Sequence, residues 1–156
     1  MTRLSVLLST GFGIGYTPFA PGTMASLASL PFGYLLLLSY GAPGVLLGGL
    51  LIFAVGIWAS GAHARSIGHK DPSASVIDEI AGQLLAMLPI VPVGGFSDGL
   101  QIAAAFVLFR FFDIAKLWPI SRLERFDGGV GIMADDIAAG LAAAALLFAA
   151  RDWSWI

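Results

Sequence analysis

Five apolar runs divide this chain and leave few ways for it to fold. They cover residues 24–40, 45–62, 80–96, 100–112 and 137–150, and turns or polar segments separate them. Hydrophobic residues make up 58% of the 156 and charged residues only 12%, where an ordinary soluble domain carries about 25% charged residues. A chain of this length holds one core, and five apolar helices leave too little of it to screen them all from water. The pattern predicts an all-α fold: a polytopic membrane helical bundle of several short apolar helices, with residues 1–156 as one domain. Most runs fall short of the roughly 20 residues that a bilayer asks of a helix, so flanking polar residues must extend them. The soluble alternative is a helical domain whose core helices are apolar all round.

The rest of the composition excludes several classes of function. There is no cysteine, so thiolate metal sites and disulfides are ruled out. The net charge of −2 gives no reason to expect a nucleic-acid partner. The N-terminal stretch MTRLSVLLSTGFGIG has one arginine and a short apolar run, and Pro21 follows the one tempting cleavage site, so the N-terminus is expected to be retained.

Basic residues suggest how the helices are oriented. If alternate connections share a side, Arg3, Arg65, Lys70, Lys116, Arg122 and Arg125 lie together. The opposite turns, GAPG and SDG, contain no Lys or Arg, and only Arg151 falls on their side; Arg110 lies within its run. The positive-inside rule makes the basic side cytoplasmic. Asp78, Glu79, Asp127, Asp135 and Asp136 fall on that side too, while Asp98 sits in the opposite turn and is expected to be a silent position.

Two acidic pairs, Asp78-Glu79 and Asp135-Asp136, each stand before an apolar run. Acids at a helix N-terminus cap free N–H groups and favour the dipole, which accounts for either pair alone. Two pairs crowding one membrane face with Asp113 repel one another unless a cation intervenes. Oxygen ligands without Cys, and with scant His, favour Mg²⁺ over Zn²⁺. Adjacent residues on a helix diverge by about 100°, so one member of each pair could bind metal directly while the other binds a second ion, orients water or acts as a base. In FRFFDIAK, Arg110, Asp113 and Lys116 recur every three residues on one helix face, either as a salt-bridged stripe or as a phosphate-binding set. The Gly/Pro-rich TGFGIGYTPFAPGTMAS places Thr23 before a helix, where it could meet an anion or simply form a turn. His63 and His69, six apart, are poorly spaced for one metal.

Four stretches together resemble the phosphatidylglycerophosphatase A family of bacterial lipid phosphatases. They are GYTPFAPGTMASLASLP (15–31), GHKDPSASVIDEIAG (68–82), FRFFDIAKLWPI (109–120) and GGVGIMADDIAAG (128–140). The resemblance implies an all-helical enzyme of the bacterial inner membrane, its site at the cytoplasmic face. It implies Mg²⁺-dependent removal of the terminal phosphate of phosphatidylglycerol phosphate. The family's acidic positions map onto Asp78, Glu79, Asp113, Asp135 and Asp136 as metal ligands, with Asp78, Asp135, Asp136 and Lys116 as catalytic candidates. Thr23, Arg110 and Lys116 are the substrate-binding candidates, Thr23 through the family's APGT-type segment at Pro21, Gly22 and Thr23. Substrate and lipid bilayer are the implied partners, and an oligomer is compatible with both. Leu117 stands where the family commonly has proline and Ala25 where it commonly has glycine. The competing readings are another metal-dependent lipid head-group enzyme, such as a CDP-alcohol phosphotransferase, and a non-enzymatic ion carrier or scaffold.

Overall fold

In the computed structural model, which describes residues 2–70 and 72–152, the apolar runs form helices, and no strand occurs among the described residues. The helices are α1 (Thr2–Ser9), α2 (Pro21–Ile67), α3 (Ile77–Ala86), α4 (Phe96–Ala115) and α5 (Gly129–Asp152). Short 3-10 turns occupy Ile14–Tyr16 and Ile120–Arg125; the side chain of Arg125, counted above among the basic residues, lies outside the description.

The first two apolar runs become α2, a helix broken at Gly41. Its φ of 64° lies in the left-handed region that a Cβ disfavours. The two arms, residues 21–40 and 42–67, fold back on each other, and a Cβ on Gly48 would lie 2.9 Å from Leu36 Cδ1. At 1.5 Å per residue the arms run roughly 30 and 39 Å, enough for the hydrocarbon core of a bilayer. Among the described residues, α2 and α5 are the two helices long and apolar enough to cross a membrane. Leu35, Leu38, Leu47 and Leu50 on α2, and Leu141, Leu146 and Phe148 on α5, are exposed. An outer surface this apolar suits lipid.

The third run behaves differently from the sequence expectation. Residues 80–96 do not form a long helix; α3 ends at Ala86, and the chain around Pro89 and Pro92 is irregular. Proline lacks the N–H that would continue the helix. Ten residues reach about 15 Å, half the hydrocarbon thickness. Ala81, Leu84, Leu85 and Ala86 are buried, so α3 is the core of the bundle rather than one of its exposed walls.

Glycines admit the neighbouring helices to α3. A Cβ on Gly33 would lie 2.6 Å from Met87 Sδ, and one on Gly49 would lie 2.8 Å from Leu85 Cδ2. The crossing with α5 brings backbone against backbone. A Cβ on Gly140 would stand 2.2 Å from the Gly82 carbonyl oxygen, and one on Gly82 would stand 2.5 Å from that of Asp136. Only hydrogen fits there, the small-residue packing that lets two backbones touch.

The SDG turn also departs from expectation. It is the first turn of α4, and Asp98 is 2% exposed. Its carboxylate accepts hydrogen bonds from the Tyr34 hydroxyl at 2.6 Å, the Val93 N–H at 2.9 Å and the Gly94 N–H at 3.1 Å. Asp98 is therefore structural: it supplies the acceptor that the irregular segment before α4 lacks. Arg151 donates to the Pro89 carbonyl oxygen at 2.9 Å, tying the end of α5 to the segment after α3. Asp98→Ala strips the acceptor from three donors and is expected to lower stability by about 1–3 kcal/mol. A reduced thermal midpoint in detergent, with the cavity described below left intact, is the result that checks this; an unchanged midpoint would contradict it.

Candidate active site

The Gly82–Gly140 crossing lies about one helical turn beyond each acidic pair, and this brings the pairs together. Asp78 and Glu79 occupy the first turn of α3, where the helix dipole favours negative charge. Asp135 and Asp136 differ from the sequence expectation. Helix α5 already begins at Gly129 and has no acid in its first turn, so this pair lies inside the helix and cannot cap it. Both are buried, at 6% and 4% exposure.

The four acids open on one cavity of about 380 Å³. The segment before α3 contributes Lys70, Pro72, Ser73 and Ser75; the end of α4 contributes Asp113 and Lys116; the loop before α5 and α5 itself contribute Phe126, Gly128, Gly131 and Ile132. All five sequence-predicted acids and Lys116 therefore meet. Thr23 and Arg110 do not line this cavity. Arg110 forms an ion pair with Asp113 one turn along α4, and its guanidinium carbon lies 5.9 Å from the Phe109 ring centre. The segment carrying Thr23 reaches the site through backbone: a Cβ on Gly22 would stand 1.8 Å from Glu79 Oε1.

The two members of the α5 pair face different partners. Asp135 accepts a hydrogen bond from Lys116 Nζ at 2.9 Å. Lys116 is the C-cap residue of α4, in left-handed conformation, where the chain turns towards α5. Asp136 joins Asp78 and Glu79, and one carboxylate oxygen from each lies within 4.8 Å of the others. Burial pushes the Glu79 carboxyl above the usual carboxylate range, and the charge of Asp113 adds to this; the hydrogen bond with Asp78 and the charge of Arg110 act in the other direction. Glu79 Oε2 is buried with no hydrogen-bond partner among the described residues.

These features fit a hard cation. Three carboxylates converge, a buried oxygen still has acceptor capacity, and neither His nor Cys stands in the set. His63 bonds elsewhere, to Ser9, and His69 is not among the cavity residues. Lys70, whose Nζ lies 3.3 Å from Asp127 Oδ1 in an exposed pair, is not among the site residues expected from the sequence, nor are Ser73 and Ser75. The signal available was position alone: HKDPSAS is the polar segment immediately before the first acidic pair.

The chain matches the family described as Phosphatidylglycerophosphatase A over residues 7–151. It is 37% identical to Phosphatidylglycerophosphatase A of Escherichia coli over 144 residues, covering 91% of this chain and 80% of that protein. It is 36% identical to the Haemophilus influenzae protein of the same name, covering 94% and 88%. A candidate phosphatidylinositol-3-phosphatase of Bacteroides thetaiotaomicron is 39% identical, covering 95% and 94%. No solved structure matches.

The contact between Gly22 and Glu79 gives a test of the site's construction. Gly22→Ala is expected to overpack it and lower stability by about 1–3 kcal/mol. Glu79→Ala removes the colliding oxygen, so the double variant should recover part of that loss. Thermal midpoints of the two single variants and the double variant measure the coupling; strict additivity would show that the two residues do not meet.

Proposed function

Because the chain belongs to the phosphatidylglycerophosphatase A family and is a phosphatase, we propose that it hydrolyses the terminal phosphate of phosphatidylglycerol phosphate in an Mg²⁺-dependent reaction. The product is phosphatidylglycerol. The observation that carries this reading is the convergence of Asp78, Glu79 and Asp136 beside the Lys116–Asp135 pair in one cavity. The three carboxylates would hold the ion, with Asp113 beside them. When bound, Mg²⁺ supplies charge that offsets the phosphate dianion and makes water easier to deprotonate.

The chain's own residues do the remaining work. Lys116 presents ammonium hydrogens to the phosphate oxygens, on which charge spreads as the ester bond breaks. Asp135 holds that ammonium in place. As the carboxylate turned away from the other three, it is also placed to take a proton from the attacking water. Water oxygen bonds to phosphorus, the bond from phosphorus to the glycerol oxygen breaks, and a proton ends on the released alcohol. Arg110 acts by holding Asp113. Gly22 shapes the wall behind Glu79 through its backbone.

The apolar surfaces of α2 and α5 support the reading of a multi-pass protein of the bacterial inner membrane, and the basic residues around the cavity end favour a cytoplasmic orientation for that end. Cysteines at Ser73 and Ser121, both exposed near the cavity end, should be labelled only from the cytoplasm, and one at Ser97 only from outside. The reverse pattern would invert the orientation.

The central test is phosphate release by the purified protein in detergent. Phosphatidylglycerol phosphate should be hydrolysed with Mg²⁺ and not after exhaustive chelation. Activity that survives chelation would remove the metal from the reading. Faster turnover of phosphatidylinositol 3-phosphate, the substrate class in the name of the Bacteroides relative, would change the substrate. Asp136→Asn keeps the shape but loses the charge that holds Mg²⁺, so turnover should fall about 100-fold or more and recover partly at high Mg²⁺. Asp135→Asn should lose turnover without that rescue, and equal rescue of both variants would erase the division of roles.

A further inference from the structure

Behind the cavity wall lies a buried network of hydroxyls and one imidazole that the chemistry above does not use. Ser9 ends α1, Ser60 and His63 lie on α2, and Ser75 precedes α3; they are 0%, 0%, 4% and 6% exposed. Ser9 Oγ donates to Ser75 Oγ at 2.9 Å and lies 2.9 Å from His63 Nδ1. Ser60 Oγ lies 3.0 Å from Ser75 Oγ. The Val76 N–H donates to the Ser9 carbonyl oxygen at 2.8 Å, fixing Ser75 against the end of α1.

Counting hydrogens assigns the directions. A hydroxyl has one hydrogen and two lone pairs. Ser9 gives its hydrogen to Ser75, so His63 Nδ1 is the donor to Ser9. Fully buried Ser60 has no other side-chain hydrogen-bond partner among the described residues. Were Ser75 to donate to Ser60, the Ser60 hydrogen would be left buried and unpaired, which folded proteins avoid. With Ser60 donating instead, both lone pairs of Ser75 are filled and its own hydrogen must leave the network. Ser75 lines the cavity, so that hydrogen has a destination there.

We propose that Ser75 is a substrate-binding residue whose hydroxyl donates to a phosphate oxygen in the cavity, an assignment that rests on the phosphatase reading. Accepting from two hydroxyls polarises Ser75 and strengthens the bond it gives. The His63–Ser9 chain and Ser60 act as positioning residues, because they aim that hydrogen.

Inorganic phosphate is the probe, read both as an inhibition constant during lipid phosphate turnover and as a thermal shift with Mg²⁺ present. Ser75→Ala is expected to raise the inhibition constant about tenfold or more, as loss of a hydrogen bond to a charged group should. Ser60→Ala is expected to lower the thermal midpoint but to raise the inhibition constant much less than Ser75→Ala does, because Ser75 loses one positioning contact yet retains its hydrogen. Ser75→Thr, which keeps the hydroxyl, should bind phosphate. A purely structural network predicts parallel losses in Ser75→Ala and Ser60→Ala, and that outcome overturns the assignment. So does normal phosphate binding by Ser75→Ala. Should Ser75→Ala not fold, Ser75→Cys keeps the shape with a weak donor and carries the same comparison. An unaltered protein that releases no phosphate from any lipid monoester would overturn the phosphatase reading and this one with it; normal turnover with unweakened phosphate binding by Ser75→Ala would overturn this one alone.

Discussion

The contact between α3 and α5 at Gly82 and Gly140 is the constraint on which the rest of the molecule depends. Two backbones touch there because neither residue has a Cβ, and a Cβ on Gly140 would come within 2.2 Å of the Gly82 carbonyl oxygen. That contact draws the first turn of α3 and the second turn of α5 to one depth. A wider crossing would separate Asp78 and Glu79 from Asp136, and their 4.8 Å grouping would be lost. Packing between small residues here sets the geometry of charge.

That geometry carries an electrostatic cost, which shapes everything around it. Asp113 has Arg110 as its counter-ion and Asp135 has Lys116. Asp78, Glu79 and Asp136 face one another, and the burial of Glu79 already raises its proton affinity. Like charges held this close call for a cation, a proton or both. The glycine at residue 22, the ten-residue α3 and the buried serines beneath Ser75 all tighten the enclosure. A protein built only for stability would gain from apolar residues in these places. Retaining the carboxylates is the mark of a site that acts on something charged.

Much of this was legible in the chain. The five apolar runs announced helices, and the paired acids announced a site, since a greasy sequence has few reasons to keep charge. The turn near Pro43 was visible, though the break itself falls at Gly41. Other features were hidden. The run at residues 80–96 reads like its neighbours, but α3 stops at Ala86 and becomes core. Asp98 reads as an exposed turn residue, yet Tyr34, far away in sequence, donates to it at 2.6 Å. Asp135 and Asp136 read as possible caps because nothing local shows that the helix starts at Gly129.

By itself, the sequence determined the chemistry available: oxygen ligands without thiolates, a few cations near the acids, and helices too apolar for water. Residue types and their spacing decide these things, and both are local. The tertiary structure alone decided which acid faces which partner. Asp135 turns to Lys116 and Asp136 to Asp78 and Glu79 because successive side chains on a helix point about 100° apart, and only the packed neighbours determine what lies in each direction. It also decided that Ser9, Ser60, His63 and Ser75 meet, from three separate segments. Contacts between such distant residues come from helices closing on one another, and no local pattern encodes them.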